Sequence, residues 1–124
     1  MQLLVNLRVC MKILQLTLTK KWFDLIASGE KIFEYREYKK HWISRLLEKS
    51  ETGKIGGHKC FDEVRFTNGY GHHRPFVRVK FIGMGILSGC NVSPENREPI
   101  DDEKTYFVIG LGKVLETGNF SPAG

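Results

Sequence analysis

The sequence predicts an α+β fold, a small β-barrel of about five to six strands with two helices packed early in the chain. Apolar residues recur at helical spacing over residues 20–28 and 40–49. Alternating, or β-branched and aromatic, runs typical of strands cover residues 12–18, 31–36, 61–67, 76–87 and 105–115. Glycines inside the last two runs mark bulges or sharp coiling, as a small closed barrel requires: Gly83, Gly85, Gly110 and Gly112.

The early elements are predicted from their local signals. The run KILQLTL places leucines on alternate positions, which is the period of a strand with one buried face. Thr19 can cap the following helix, and Gly29 supplies a left-handed stop after it. Residues 51–59 hold three glycines without a periodic pattern, so they are predicted to form a mobile loop.

Length and composition indicate one ordinary domain. The chain has 124 residues, of which 41% are hydrophobic and 27% charged. We expect the domain to cover residues 11–116, with residues 1–10 as an extension and residues 117–124 as a flexible tail. The start, MQLLVNLRVC, is interrupted by Asn6 and Arg8, so no membrane segment is expected.

Cysteine content and charge constrain the environment and the partner. Three cysteines without a close pair favour neither a disulfide framework nor a standard zinc site, so a reducing cytoplasmic setting without a metal is expected. No cofactor is expected either. The first 60 residues hold 12 Lys and Arg against 6 Asp and Glu, whereas residues 94–124 hold 3 against 6. This basic first part favours a polyanionic partner, first of all a nucleic acid or a nucleotide.

The run SGEKIFEYREY, residues 28–38, is unusually charged for a strand. Alternation puts Glu34 and Arg36 on one face, where they can form a salt bridge, and Lys31 on the other. Two alternatives follow. Either the face is solvated and the pair is a weak surface ion pair, or the charges line a pocket, which requires Lys31 to lie in the turn before regular alternation begins.

This run, with the helix before it, resembles the opening motif of the ASCH domain, a PUA-like β-barrel family with the signature G-x-K-x-x-E-x-R. Gly29, Lys31, Glu34 and Arg36 occupy those positions in order. The runs DEVRFTNGY at 62–70 and YFVIGLG at 106–112 are similar to later segments of small, single-domain bacterial or phage members, so the resemblance spans about residues 12–115.

The resemblance implies a cleft at the mouth of a barrel, floored by Lys31, Glu34 and Arg36 and suited to RNA, a nucleotide or a nucleoside. Some relatives are hydrolases: one branch removes an acetyl group from modified cytidine, and another member is described as a ribonuclease. The amidohydrolase branch uses a Lys, a Thr and a Glu. This sequence has Glu34 at the Thr position, so that activity does not carry over directly.

The loop TNGYGHHRP, residues 67–75, has two interpretations. In the first, Tyr70 stacks on a base, Arg74 meets a phosphate, and a histidine such as His72 acts as general acid or base. In the second, it is a glycine-rich hairpin loop with incidental polar residues. A metal site from its histidines with His58 and Cys60 matches no standard spacing. The tryptophans of the two helices are expected in the core rather than on a binding platform.

The sequence thus predicts binding of RNA or of a nucleotide or nucleoside. The expected binding residues are Gly29, Arg36, Arg65, Asn68, Tyr70, His72 and Arg74. One alternative is a hydrolase acting on RNA or on a modified nucleoside, with Lys31 and Glu34 as catalytic residues. The other is a protein-interaction module whose basic surface is incidental.

Overall fold

The computed structural model describes residues 12–93 and 99–119. The predicted extension at residues 1–10 lies outside the described residues. The elements, in chain order, are β1 (Ile13–Leu18), α1 (Lys20–Ala27), β2 (Phe33–Glu37), α2 (Lys40–Leu46), β3 (Leu47–Lys49), β4 (Ile55–His58), β5 (Glu63–Asn68), β6 (Phe76–Ser88), a short 3-10 helix (Gly89–Asn91) and β7 (Thr105–Gly118).

Five strands hydrogen-bond in the order β1-β5-β6-β7-β2, and β3 and β4 form a separate two-stranded sheet. β1 runs parallel to β5, whereas β5 with β6 and β2 with β7 are antiparallel, so the larger sheet is mixed. The α+β class and the two early helices are therefore confirmed. Within the described residues the larger sheet is open, and no closed barrel is seen.

The chain divides into two compact units. The first unit contains the described parts of residues 1–32, 60–82 and 111–124, and the second contains those of residues 33–59 and 83–110. The break within β6 falls at Gly83, whose φ of 151° is rarely open to residues with a side chain. The bulge or sharp coiling expected at this glycine stays a prediction.

The first unit buries one face of β1, β5 and β6 beneath α1. Leu16, Phe66 and Val77 lie opposite one another across the three strands, and all are 3% exposed or less. Thr19 precedes α1 and its carbonyl accepts from Phe23 N–H at 3.0 Å, although its side chain makes no capping hydrogen bond. Gly29 follows with a φ of 85°, as the predicted left-handed stop requires.

The second unit is built on the pairing of β2 with the first half of β7. Phe107 and Ile109 of β7 are fully buried, and so is Leu46 at the end of α2. The structure corrects two predictions here. α2 stops at Leu46 rather than at residue 49, and residues 55–58 of the predicted loop are the strand β4.

These two errors have one cause. β3 pairs with β4, with Leu47 opposite His58, so strand pairing between distant residues overrides the helical pattern that runs through residue 49. The glycine-rich sequence of β4 carries little strand signal of its own. At the other end of the chain, β7 continues to Gly118, past the predicted end of the domain at residue 116.

The longest helix in the described residues has eight residues, and none is long and apolar enough to cross a membrane.

Candidate functional site

Glu34 and Arg36 form a largely buried ion pair on β2. Arg36 Nε donates to Glu34 Oε2 at 3.0 Å, and Nη2 of the same guanidinium lies 2.7 Å from that oxygen. The two side chains are only 8% and 16% exposed. They share a face of the β2–β7 pair with Ile109 and Phe107, which lie directly opposite them. The predicted salt bridge is confirmed, and the solvated-face alternative is wrong because this face is the packed one.

Trp42 of α2 supports this pair. The Arg36 guanidinium carbon lies 4.9 Å from the indole centroid, and that of Arg45 lies 5.2 Å from it. His41 packs edge-on against the same indole, with 4.6 Å between centroids. Trp42 is half-buried, so it is a platform for two guanidinium groups and not simply the core residue that helical spacing predicted. The spacing of Trp42 and Arg45, three apart on a helix, is the signal that could have revealed part of this cluster.

A cavity of about 370 Å³ lies within the second unit. Phe107, the residue opposite Arg36, forms part of its wall. Tyr38, two residues after Arg36, packs on Phe107 with 5.0 Å between ring centroids. The lining residues are Tyr38, Leu47, Ile55, Gly56, Gly57, His58, Met84, Gly85, Ile86 and Phe107. No pattern within the sequence gathers these residues, because they come from five separate segments.

Gly29 and Lys31 belong to the first unit. Lys31 lies between the turn at residues 28–30 and the first residue of β2, Phe33, so it comes before regular alternation begins, as the pocket alternative requires. Its backbone N–H donates to the Leu25 carbonyl at 2.9 Å. Its ammonium group lies 5.6 Å from the centroid of Trp22, which also carries Lys21 at 4.6 Å. Lys31 is thus ordered by backbone and aromatic contacts at the end of α1.

Arg65 lies on the first unit's outer sheet face, away from the leucines that α1 covers. Its guanidinium carbon is 4.3 Å from the ring centroid of Phe76. Within the described residues it forms no ion pair. The neighbouring Arg78 is different, since it meets Glu63 at 3.3 Å and Glu116 at 3.2 Å. Arg65 is therefore the less neutralised of the two arginines on this face.

The loop after β5 is closed by its own arginine. Arg74 Nε donates to the Asn68 carbonyl at 2.8 Å, and Asn68 N–H donates to the Pro75 carbonyl at 2.9 Å. The Arg74 side chain lies against Gly69, where a Cβ would come within 2.9 Å of it. Tyr70 is 86% exposed and His72 is exposed as well. The structure therefore brings Asn68 and Arg74 together as a hairpin closure.

The possible metal site from His58, Cys60 and the loop histidines is not assembled. In residues 12–93 and 99–119, no three His, Cys, Asp or Glu side chains are grouped closely enough to hold a metal ion.

A scan against protein-family models, a search of curated proteins and a search of solved structures each found no match. The resemblance to the ASCH family therefore stays a prediction.

Proposed function

We propose that this protein binds RNA or a nucleotide, and that Arg36 of the second unit is its main contact. The observation that carries this proposal is the buried Glu34–Arg36 pair stacked on Trp42. The proposal includes membership of the ASCH family, a PUA-like barrel and a cytoplasmic location, which the sequence predicts.

The chemistry of the cluster suits a phosphate-bearing ligand. An arginine is always charged and presents planar donors that match phosphate oxygens or a base carbonyl. Arg36 is oriented by Glu34 and by the indole of Trp42, so little side-chain entropy remains to be lost when a ligand binds. Arg45 adds a second positive charge at the same indole.

The burial of the pair also favours a binding role for it. Removing two charges from water is costly, and hydrophobic residues of similar size often give equal or greater stability. Here both charges lie on the face that also carries fully buried Phe107 and Ile109. A functional demand on the guanidinium explains this placement better than stability does.

Arg36→Ala should weaken the binding of labelled single-stranded RNA by about tenfold or more, since it removes a charge-assisted contact. Fluorescence anisotropy at two or more salt concentrations measures this, and the slope of log affinity against log salt should fall by about one. Lys113→Ala is the matched control, because it removes one positive charge at an exposed site in the first unit. Equal affinities for the wild type and for Arg36→Ala would overturn the proposal.

The protein-interaction alternative is tested by the same titration. Phosphate contacts weaken steeply as salt rises, whereas a hydrophobic interface does not. If the protein does not bind RNA even at low salt, the interaction module is favoured.

The hydrolase alternative stays a prediction, with Lys31 and Glu34 as its catalytic residues. If it holds, purified protein should turn over acylated cytidine or RNA, and Lys31→Ala should abolish that turnover. Product formation followed by chromatography measures it. Turnover that survives Lys31→Ala would exclude this role for Lys31.

A further inference from the structure

We infer that the cavity of about 370 Å³ in the second unit receives an uncharged nucleobase of the bound RNA or nucleotide. This inference rests on the proposed function and names the part of the ligand that the cavity selects.

The walls of the cavity suit a flat ring. Tyr38 and Phe107 pack against each other at 5.0 Å and provide aromatic surface, and Met84 adds a soft, polarisable side chain. Gly56, Gly57 and Gly85 line the cavity without side chains. A Cβ added at Gly57 or at Gly85 would meet no atom within 4 Å, so both positions border open space. The aromatic walls offer a surface on which a base can stack, and the bare backbone beside them leaves room for it.

The lining also argues for an uncharged ligand group. It includes no Asp, Glu, Lys or Arg, so a phosphate inside the cavity would lack a counter-charge. The titratable lining groups are Tyr38 and His58, and Nδ1 of His58 is held by the Lys59 carbonyl at 2.7 Å. A nucleobase is uncharged near neutral pH, and its apolar faces match these walls.

Two strand edges supply polar groups for the rim of the base. β4 pairs with β3 alone, and β5 pairs with β6 only as far as Lys80. Within the described residues, no strand therefore pairs with the second edge of β4. None pairs with residues 84–86 along the edge of β6 that faces β5 earlier in the strand. Both edges line the cavity, and backbone N–H and C=O groups on such edges can bond the in-plane donors and acceptors of a base.

The position of Arg36 completes the arrangement. In the β2–β7 register Arg36 lies directly opposite Phe107, which is a wall of the cavity. Side chains at directly opposite positions are neighbours on the sheet surface. Arg36 is not itself a lining residue, and in the proposed arrangement the sugar and phosphate of a base stacked at Tyr38 and Phe107 extend from the cavity toward its guanidinium. The uncharged cavity thus binds the base, and the cationic cluster binds the phosphate.

The test adds side chains at two glycines that line the cavity. Gly57→Val and Gly85→Val each add a side chain at a position that borders open space and has no left-handed backbone angle, so both variants should fold. We expect each to weaken binding of single-stranded RNA at least tenfold while leaving the affinity for an abasic oligonucleotide of equal length unchanged. Ser88→Val is the control, since it places a valine at the exposed end of β6, outside the cavity. Thermal unfolding of each variant confirms that it is folded.

A second measurement reports on the cavity itself. Met84 is the one methionine in the described part of the chain, so its labelled methyl group is an NMR probe inside the cavity. Adenosine and cytidine, which carry a base but no phosphate, should shift this signal in the wild type and not in Gly57→Val. Ribose 5-phosphate should leave it unshifted. The signal is assigned with Met84→Leu.

The outcomes separate the two proposals. If the wild type binds no RNA, the proposed function fails. If RNA binds equally to the wild type and to both glycine variants, and nucleosides leave Met84 unshifted, the cavity inference fails while the proposed function stands. If an extended peptide shifts the methyl signal of Met84 and nucleosides do not, the cavity binds a protein strand. That result overturns the inference.

Discussion

Replacing Glu34 with alanine should lower the free energy of unfolding by about 4 kcal/mol, because it removes a buried carboxylate and leaves the partly buried Arg36 without it. Arg36 is held at two nitrogens by one oxygen of Glu34, and its side chain is only 16% exposed. Neither Trp42 nor the apolar Phe107 opposite can replace the lost negative charge. Urea denaturation followed by circular dichroism measures the change.

Glu37→Ala is the control for this prediction. Glu37 ends the same strand and pairs with Lys104 at 3.5 Å, but the two side chains are 34% and 49% exposed. Exposed pairs contribute about 1 kcal/mol or less, so the loss should be correspondingly small. If Glu34→Ala and Glu37→Ala lower the free energy of unfolding equally, burial does not make the Glu34–Arg36 pair more stabilising than an exposed pair.

The double variant Glu34→Leu, Arg36→Met separates stability from binding. It replaces both charges with apolar groups of similar size, and such replacements of buried pairs are often neutral or stabilising. We expect it to unfold at a urea concentration near that of the wild type and yet to lose RNA binding as Arg36→Ala does. A double variant that binds RNA normally would show that the pair is structural.

Replacing Gly89 with alanine should destabilise the second unit by about 3 kcal/mol, because the added methyl group has no space. An added Cβ would overlap the Asp101 backbone, lying 2.9 Å from its carbonyl carbon and closer still to the oxygen, and 3.1 Å from the Lys104 oxygen. Gly89 is buried, and its N–H donates to the Lys104 carbonyl at 2.7 Å. The contacting atoms are backbone, so no side-chain rotation relieves the clash.

The same measurement in Gly57→Ala provides the contrast. No atom lies within 4 Å of a Cβ at Gly57, and its backbone angle is open to any residue. Alanine there restricts the unfolded chain and should be neutral or stabilising by about 0.5 kcal/mol. A Gly89→Ala protein as stable as Gly57→Ala would mean that the segment around residues 101–104 shifts freely.

Local patterns were informative where each strand or helix buries one face. The alternating leucines of β1 and the helical spacing of Phe23 and Ile26 in α1 reflect burial that the structure shows. The same alternation placed Glu34 and Arg36 together, and the structure confirms their bond. These relations connect residues two to four positions apart, so side-chain periodicity alone determines them.

Local patterns failed where pairing partners are distant. α2 ends at Leu46 because the next residues pair with β4, and the glycines of β4 give no strand signal without that partner. The sequence left two alternatives for the environment of Glu34 and Arg36 for the same reason. Whether their face is solvated depends on Phe107 and Ile109, about 70 residues later.

By itself, the sequence determined the α+β class, the early helices, the turn at Gly29 and the pairing of Glu34 with Arg36. Only the tertiary structure decided that this pair is buried, that Trp42 carries Arg36 and Arg45, and that a cavity lies beside Phe107. The physical reason is that periodicity tells which side chains share a face. What covers that face depends on segments that meet only when the chain folds.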